Sequence, residues 1–275
     1  MERVRLVATD MDGTLLAPDG TVSPRTAAAL RAVGEAGIVV VLVTGRPPRS
    51  ARGIVDPEIV HPLVICANGA VVYDPVADRI VEHNPLTGEI AARIVRRLRD
   101  EAPGVVFAAE TGTEFHREAA YATMMRKLDE GDPVADALDL VAEPVTKLLV
   151  RHPDHDFEAL YELAVKVAGE EAVATHSGFP MVEISAAGVT KAFALERLCG
   201  ELGIEPGEVA GFGDQPNDLP MLAWTGHSVA TANAHPDVLA AVDEVTTSNA
   251  DDGVARVLER IAAGIDQTKR RKQRN

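Results

Sequence analysis

Two aspartates one residue apart, Asp10 and Asp12, end the apolar run Val4 to Ala8 and are followed by Gly13 and Thr14. Carboxylates at i and i+2 point the same way while a chain stays extended. Like charges held that close need a shared proton or a cation, and a hard divalent ion such as Mg²⁺ suits them. A calcium loop starting at Asp10 is excluded, because Thr14, Leu15 and Thr21 occupy its fifth, sixth and twelfth positions. For this stretch alone a surface turn stays open, since Asp and Gly favour turns. Three later groups extend the set: Thr44-Gly45-Arg46, Lys191, and Asp214-Gln215-Pro216-Asn217-Asp218.

Each group follows or opens an element that could carry it. Val4 to Ala8 reads as a buried parallel strand, whose carboxyl end is where open α/β sheets place ligands. Ser23-Pro24 starts a helix that runs to Glu35 with Leu30 and Val33 on one face, and Gly37 stops it. Ile38 to Val43 is a second apolar strand and brings Thr44 to the edge that holds Asp10. Arg49 to Val55 is expected to be helical, and Leu63 to Ala67 is a third strand ending in Asn68-Gly69. Lys191 opens a helix to about Leu202, and Val209 to Gly213 is a strand that breaks at Asp214.

Between these segments the texture changes. A hairpin is expected across Asp74-Pro75, then a helix over 87–102, strands over 105–109, 113–116 and 147–151, a helix over 156–168, and strands over 172–176 and 181–185. Residues 121–142 have no clear period and suggest short helices around Gly131-Asp132-Pro133. The block reads as a separate α+β layer. Helices over 236–241 and 253–261 close the chain, and the basic tail beyond Ile265 is expected to be disordered.

At 275 residues two domains are expected. Aromatics are only 4%, too few for stacking platforms on single-stranded nucleic acid. Five of the 27 basic residues lie in the last seven positions, so the rest carries 22 against 42 acidic residues, a net −20. That charge opposes nucleic acid and anionic membranes. Cys66 and Cys199 have no redox or metal spacing, no signal core opens the chain and no run approaches a membrane span, so a cytoplasmic protein is expected.

The ordered series Asp10-Met-Asp-Gly-Thr, Thr44-Gly-Arg, Lys191 and Gly213-Asp-x-x-Asn-Asp resembles the four motifs of the haloacid dehalogenase superfamily. Asn68-Gly69-Ala70, the placement of the middle block, Asn233-Ala234 and Asp252-Gly253 are similar to its Cof-type phosphatases. The resemblance implies an α/β fold, with a Rossmann-like parallel-sheet core domain (1–84 and 186–275) and an inserted α+β cap domain (85–185). It implies a Mg²⁺-dependent phosphatase of small phosphorylated metabolites, with sugar phosphates the expected class. Asp10 would be the nucleophile that forms an aspartyl-phosphate, and Asp12 the general acid and base. Mg²⁺ would be held by Asp10, the backbone carbonyl of Asp12, and Asp214, with Asp218 orienting ligands or capping exposed amides. Thr44, Gly45, Arg46, Asn68, Lys191 and Asn217 would serve phosphate or substrate. Gln215-Pro216, Ala192 and Thr231-Ala232 depart from the family pattern without touching a proposed ligand.

Rival readings are a phosphomutase of sugar phosphates and a non-catalytic phospho-aspartate receiver or binding protein. Asp12 and the long insertion weigh against the receiver. His116, Arg117, Arg151, His176 and Glu183 are candidate substrate contacts in the cap, whereas His152 and His155 beside Pro153 read as a surface turn rather than a zinc site. Oligomeric state is not legible.

Overall fold

Strand β1 (Leu6–Thr9) is buried along its whole length, which is why its sequence shows no polar alternation. Its side chains alternate between two layers. Leu6 and Ala8 pack with Val41, Ile65, Leu195 and Met221, whereas Val7 packs with Leu30, Val40, Phe212 and Leu258. In this computed structural model, which describes residues 4–51, 53–54, 60–121 and 132–272, the layers are helices on opposite faces of one sheet.

Ser23 caps helix α1 (Pro24–Glu35) by accepting from the Thr26 amide. Strand β2 (Val39–Val43) leads to one helical turn, α2 (Pro48–Ala51), and then to strand β3 (Val64–Cys66). The helix expected over 49–55 is therefore cut short. Gly53 sits at φ +67°, which breaks a right-handed helix, while Arg52 and Val55 lie outside the described residues. Strands β4 (Val71–Asp74) and β5 (Arg79–His83) form the expected hairpin and extend the sheet antiparallel to β3.

The chain then builds a second sheet. Helix α3 (Gly88–Glu101) precedes strands β6 (Val106–Thr111), β7 (Glu114–Glu118) and β8 (Asp132–Val134). A helical turn, α4 (Ala137–Leu140), strand β9 (Lys147–Arg151), helix α5 (Phe157–Ala168), and strands β10 (Ala172–Thr175) and β11 (Val182–Ala186) complete it. The strand order is β10-β11-β9-β6-β7-β8, and α3 and α5 cover one face. Residues 132–134 correct the expectation of short helices there, because they pair in parallel with β7. Pro133 is tolerated because β8 is an edge strand. Residues 122–131 lie outside the described residues.

Helix α6 (Lys191–Leu202), strand β12 (Val209–Gly213), helix α7 (Leu219–Trp224), strand β13 (His227–Ala230), helix α8 (Pro236–Ala241), strand β14 (Glu244–Val245) and helix α9 (Gly253–Lys272) return to the first sheet. Its order is β14-β13-β12-β1-β2-β3-β4-β5, parallel from β14 through β3. The tail expected to be disordered beyond Ile265 is helical to Lys272. After Gly264 it holds no Gly or Pro, and its Lys and Arg are good helix formers that suit a helix C-terminus. Among the described residues, no helix is long and apolar enough to cross a membrane.

Candidate active site

Extended backbone ends at Asp10, whose amide donates to the Phe212 carbonyl at 2.9 Å and so fixes it beside the end of β12. The chain then turns over Met11–Leu15, with Met11 and Leu15 anchored in the core and Gly13 left-handed at φ +78°. A Cβ on Gly13 would lie 2.2 Å from Asp214 Oδ2, so only glycine lets this turn approach that carboxylate. The Gly13 carbonyl accepts from Thr231 Oγ1 at 3.1 Å and from Asn233 Nδ2 at 2.8 Å, giving Asn233 a holding role.

Behind Asp10, the fully buried Lys191 donates from Nζ to Asp10 Oδ1 at 2.5 Å and to Asp218 Oδ1 at 2.6 Å. Its position at the first turn of α6 opposes the helix dipole, and these two carboxylates compensate. Asp218 Oδ2 accepts from the amides of Asp214 and Gln215, both at 3.0 Å, so Asp218 caps the turn that presents Asp214. Asp214 Oδ1 accepts from Thr14 at 2.7 Å, and Oδ2 from the Gln215 side chain at 3.0 Å. Gln215, one of the departures from the family pattern, thus contacts a proposed ligand through its side chain.

Oxygens of Asp10, Asp214 and Asp218 lie within 4.8 Å of one another, against a single ammonium. Burial pushes the Asp10 carboxyl well above the ordinary range; Lys191 opposes this, and the Asp218 and Asp214 charges add to it. Burial and Asp218 push Asp214 up to about 6. Burial disfavours the Lys191 charge, but Asp10 and Asp218 overcome it and hold the lysine above its usual value. An excess of buried negative charge on oxygen donors is what a hard divalent cation relieves, so these residues fit Mg²⁺.

The phosphate side follows β2 and β3. Thr44 Oγ1 accepts the Arg46 amide at 3.0 Å, which leaves its own hydroxyl hydrogen to donate. Arg46 holds Asp12 with two parallel bonds, Nε and Nη2 each 2.5 Å from a carboxyl oxygen. Asn68, left-handed at φ +56°, donates to Glu183 Oε2 at 2.6 Å and accepts from Asn217 Nδ2 at 3.0 Å. Lys147 Nζ donates to the Gly45 carbonyl at 2.8 Å and to Glu183 Oε2 at 3.1 Å. Lys147 and Glu183 form a buried ion pair between neighbouring strands of the second sheet, and through Gly45 and Asn68 the pair bonds to loops that follow β2 and β3 of the first.

Asp10, Asp12, Thr44, Gly45, Arg46 and Asn217 open on one cavity of about 160 Å³, room for a small-molecule group. Lys191, Asp214 and Asp218 lie behind it, and Asn68 acts through Glu183 and Asn217 rather than lining the wall. Of the cap candidates, Arg151 and Glu183 reach the cavity; His116, Arg117 and His176 are not among its lining residues. His152 accepts the amides of Asp154 and His155 through Nδ1, as a surface turn requires. Lys147 and Glu110 were missed. Their signal is a charged residue bordering an apolar strand, which by itself does not separate a buried contact from a solvated one.

A family model described as haloacid dehalogenase-like hydrolase matches residues 7–258. The 5-amino-6-(5-phospho-D-ribitylamino)uracil phosphatase YitU of Bacillus subtilis is 27% identical over 264 residues, covering 92% of this chain and 96% of that protein. The HMP-PP phosphatase of Serratia proteamaculans is 30% identical, covering 85% of this chain and 86% of its own length. The crystal structure of SMU.1108c from Streptococcus mutans superposes with a TM-score of 0.83 at 25% identity, covering 94% of this chain and 99% of that one.

Proposed function

This chain belongs to the haloacid dehalogenase-like hydrolases and is a phosphatase of small phosphorylated molecules, and from that premise we propose how its own residues work. The reaction is Mg²⁺-dependent hydrolysis of a phosphomonoester through a phosphorylated Asp10, beneath a cap formed by residues 85–185. A carboxyl oxygen of Asp10 attacks phosphorus as the bond to the leaving alcohol oxygen breaks, and Asp12 gives that oxygen a proton. Asp12 then takes a proton from water, whose oxygen attacks phosphorus, releases inorganic phosphate and restores the Asp10 carboxylate. To do so Asp12 frees one oxygen from Arg46, which otherwise sets the direction of the carboxyl group.

Lys191 and Thr44 hold the phosphoryl oxygens, Lys191 through the N–H that neither carboxylate takes and Thr44 through its hydroxyl. Mg²⁺, held by Asp10, Asp214 and the backbone carbonyl of Asp12, would supply positive charge against those oxygens. Asp218 positions Lys191 and the Asp214 turn. The cavity takes the alcohol portion; sugar phosphates are the class expected from the sequence.

One observation carries this reading: Asp10 opens on the cavity while sharing a buried ammonium with Asp218 and clustering its oxygens with those of Asp214 and Asp218. Asp10→Asn is expected to abolish Mg²⁺-dependent phosphate release from acetyl phosphate. Turnover retained in that variant would reject Asp10 as the nucleophile.

A further inference from the structure

Just beyond the end of β10 at Thr175, His176 and Gly178 each meet a residue that holds Asp214. The first contact concerns the carboxylate. A Cβ on Gly178 would lie 3.0 Å from Gln215 Cδ, 3.1 Å from Nε2 and 3.2 Å from Oε1. Such even distances put the Gly178 backbone over the flat face of that amide, and φ +81° suits glycine there. The edge of the same amide is in use, because Nε2 donates to Asp214 Oδ2 at 3.0 Å.

The second contact concerns the Asp214 backbone. The His176 and His235 rings meet with centroids 5.8 Å apart and planes at 72°. His235, at the start of α8, donates its amide to the Asp214 carbonyl at 2.8 Å. His176 is itself fixed: it is only 5% exposed, and Phe157 and Tyr161 of α5 meet its ring edge to face at 5.2 and 4.9 Å. Between the two contacts, Ser177 Oγ donates to Glu183 Oε1 at 2.5 Å and ties the segment to its own sheet. One short stretch of the second sheet's side therefore backs both partners of Asp214, one at its carbonyl and one at its carboxylate.

We propose that residues 176–178 are a positioning segment for Asp214. Seated on Gln215 and His235, they keep its carboxylate in the direction that takes Mg²⁺. Coupling of this kind is reciprocal, so loosening the segment weakens the metal and the metal tightens the segment. His176, Gly178, Gln215 and His235 are not among the proposed metal ligands, and His176 does not line the cavity. The inference rests on the Mg²⁺ reading of Asp214 and adds to it the residues that aim that group.

The test titrates Mg²⁺ alone against the melting temperature of the full chain, each variant compared with itself in chelator. Gly178→Ala and His176→Ala should each weaken Mg²⁺ binding about fivefold or more, the low end of coupling between distinct sites. Gln215→Met, which loses the amide, should weaken it on the order of 10–100-fold. Adding Gly178→Ala to Gln215→Met should then cost little more, since the amide that carries the contact is gone. Mg²⁺ should also slow amide hydrogen exchange over residues 176–179 of the unaltered chain, and do so less in Gln215→Met. Gly178 is exposed, so its variant carries the test should His176→Ala fail to fold. An unchanged Mg²⁺ titration in the folded variants, additive losses in the double variant, or exchange over 176–179 indifferent to Mg²⁺ would overturn the proposal. If Mg²⁺ does not raise the melting temperature of the unaltered chain, the metal reading of Asp214 fails and this inference falls with it.

Discussion

Lys191 Nζ lies 2.5 Å from Asp10 Oδ1, although 181 positions separate the two residues. The same ammonium is 2.6 Å from Asp218, so one fully buried cation joins the first strand end to the last motif. Removing one member of a buried charge set is costly because the others stay buried and uncompensated. Lys191→Met should lower unfolding stability by about 3–5 kcal/mol in chelator and abolish turnover. Urea unfolding checks the first effect; a loss below about 1 kcal/mol would mean water reaches these carboxylates.

Gly13→Ala attacks the proposed metal ligand without changing a charge. A methyl group at this left-handed position would overlap Asp214 Oδ2, so the carboxylate or the turn must move. Mg²⁺ affinity should weaken on the order of 10–100-fold, read from the Mg²⁺ dependence of the melting temperature. An unchanged titration would show that Asp214 is not a ligand.

Metal removal should make stability depend on pH in a definite direction. Asp214 is raised from an ordinary 3.8 to about 6, so between those values the unfolded chain ionises while the folded carboxyl keeps its proton. Stability contributed by the protonated form is complete below pH 3.8 and is lost as pH rises through about 6. Over that window the metal-free protein should lose about 3 kcal/mol from this group. Mg²⁺ supplies the missing positive charge, so it should raise the melting temperature more at pH 7.5 than at pH 5. Equal shifts at the two pH values would contradict the assignment.

The Lys147–Glu183 pair, which bonds across to Gly45 and Asn68, gives a fourth expectation. Burial works against the Glu183 carboxylate, yet Lys147, Ser177 and Asn68 hold it below its ordinary range. Glu183→Leu leaves Lys147 buried without its counter-charge and should cost about 3–5 kcal/mol. Adding Lys147→Met should recover much of that, because no unpaired charge then remains. Turnover should stay low in both, since each lacks the acceptor for Asn68 and the double variant also loses the hold on the Gly45 carbonyl. Additive losses in the double variant would show that the two groups do not interact.

Some of this was legible from local physics. Apolar runs closed by Asp10, Thr44 and Asp214 announce buried parallel strands with polar ends, and Ser23-Pro24 announces a helix start. Order along the chain then indicates one sheet rim. Residues 132–134 were misread because pairing with β7, not local propensity, makes them a strand. The final helix was cut short because apolar periodicity ends before helix propensity does.

By itself the sequence determined which residues could carry phosphoryl chemistry and that they belong to strand ends of an α/β core. The tertiary structure alone decided that Lys191 is shared by Asp10 and Asp218, that Arg46 holds Asp12, and that Lys147 and Glu183 reach from one sheet to the other. Those facts depend on distances between groups far apart in the chain. A lysine's residue type is the same whether it faces water or two buried carboxylates, and only the packing that removes the water distinguishes the two.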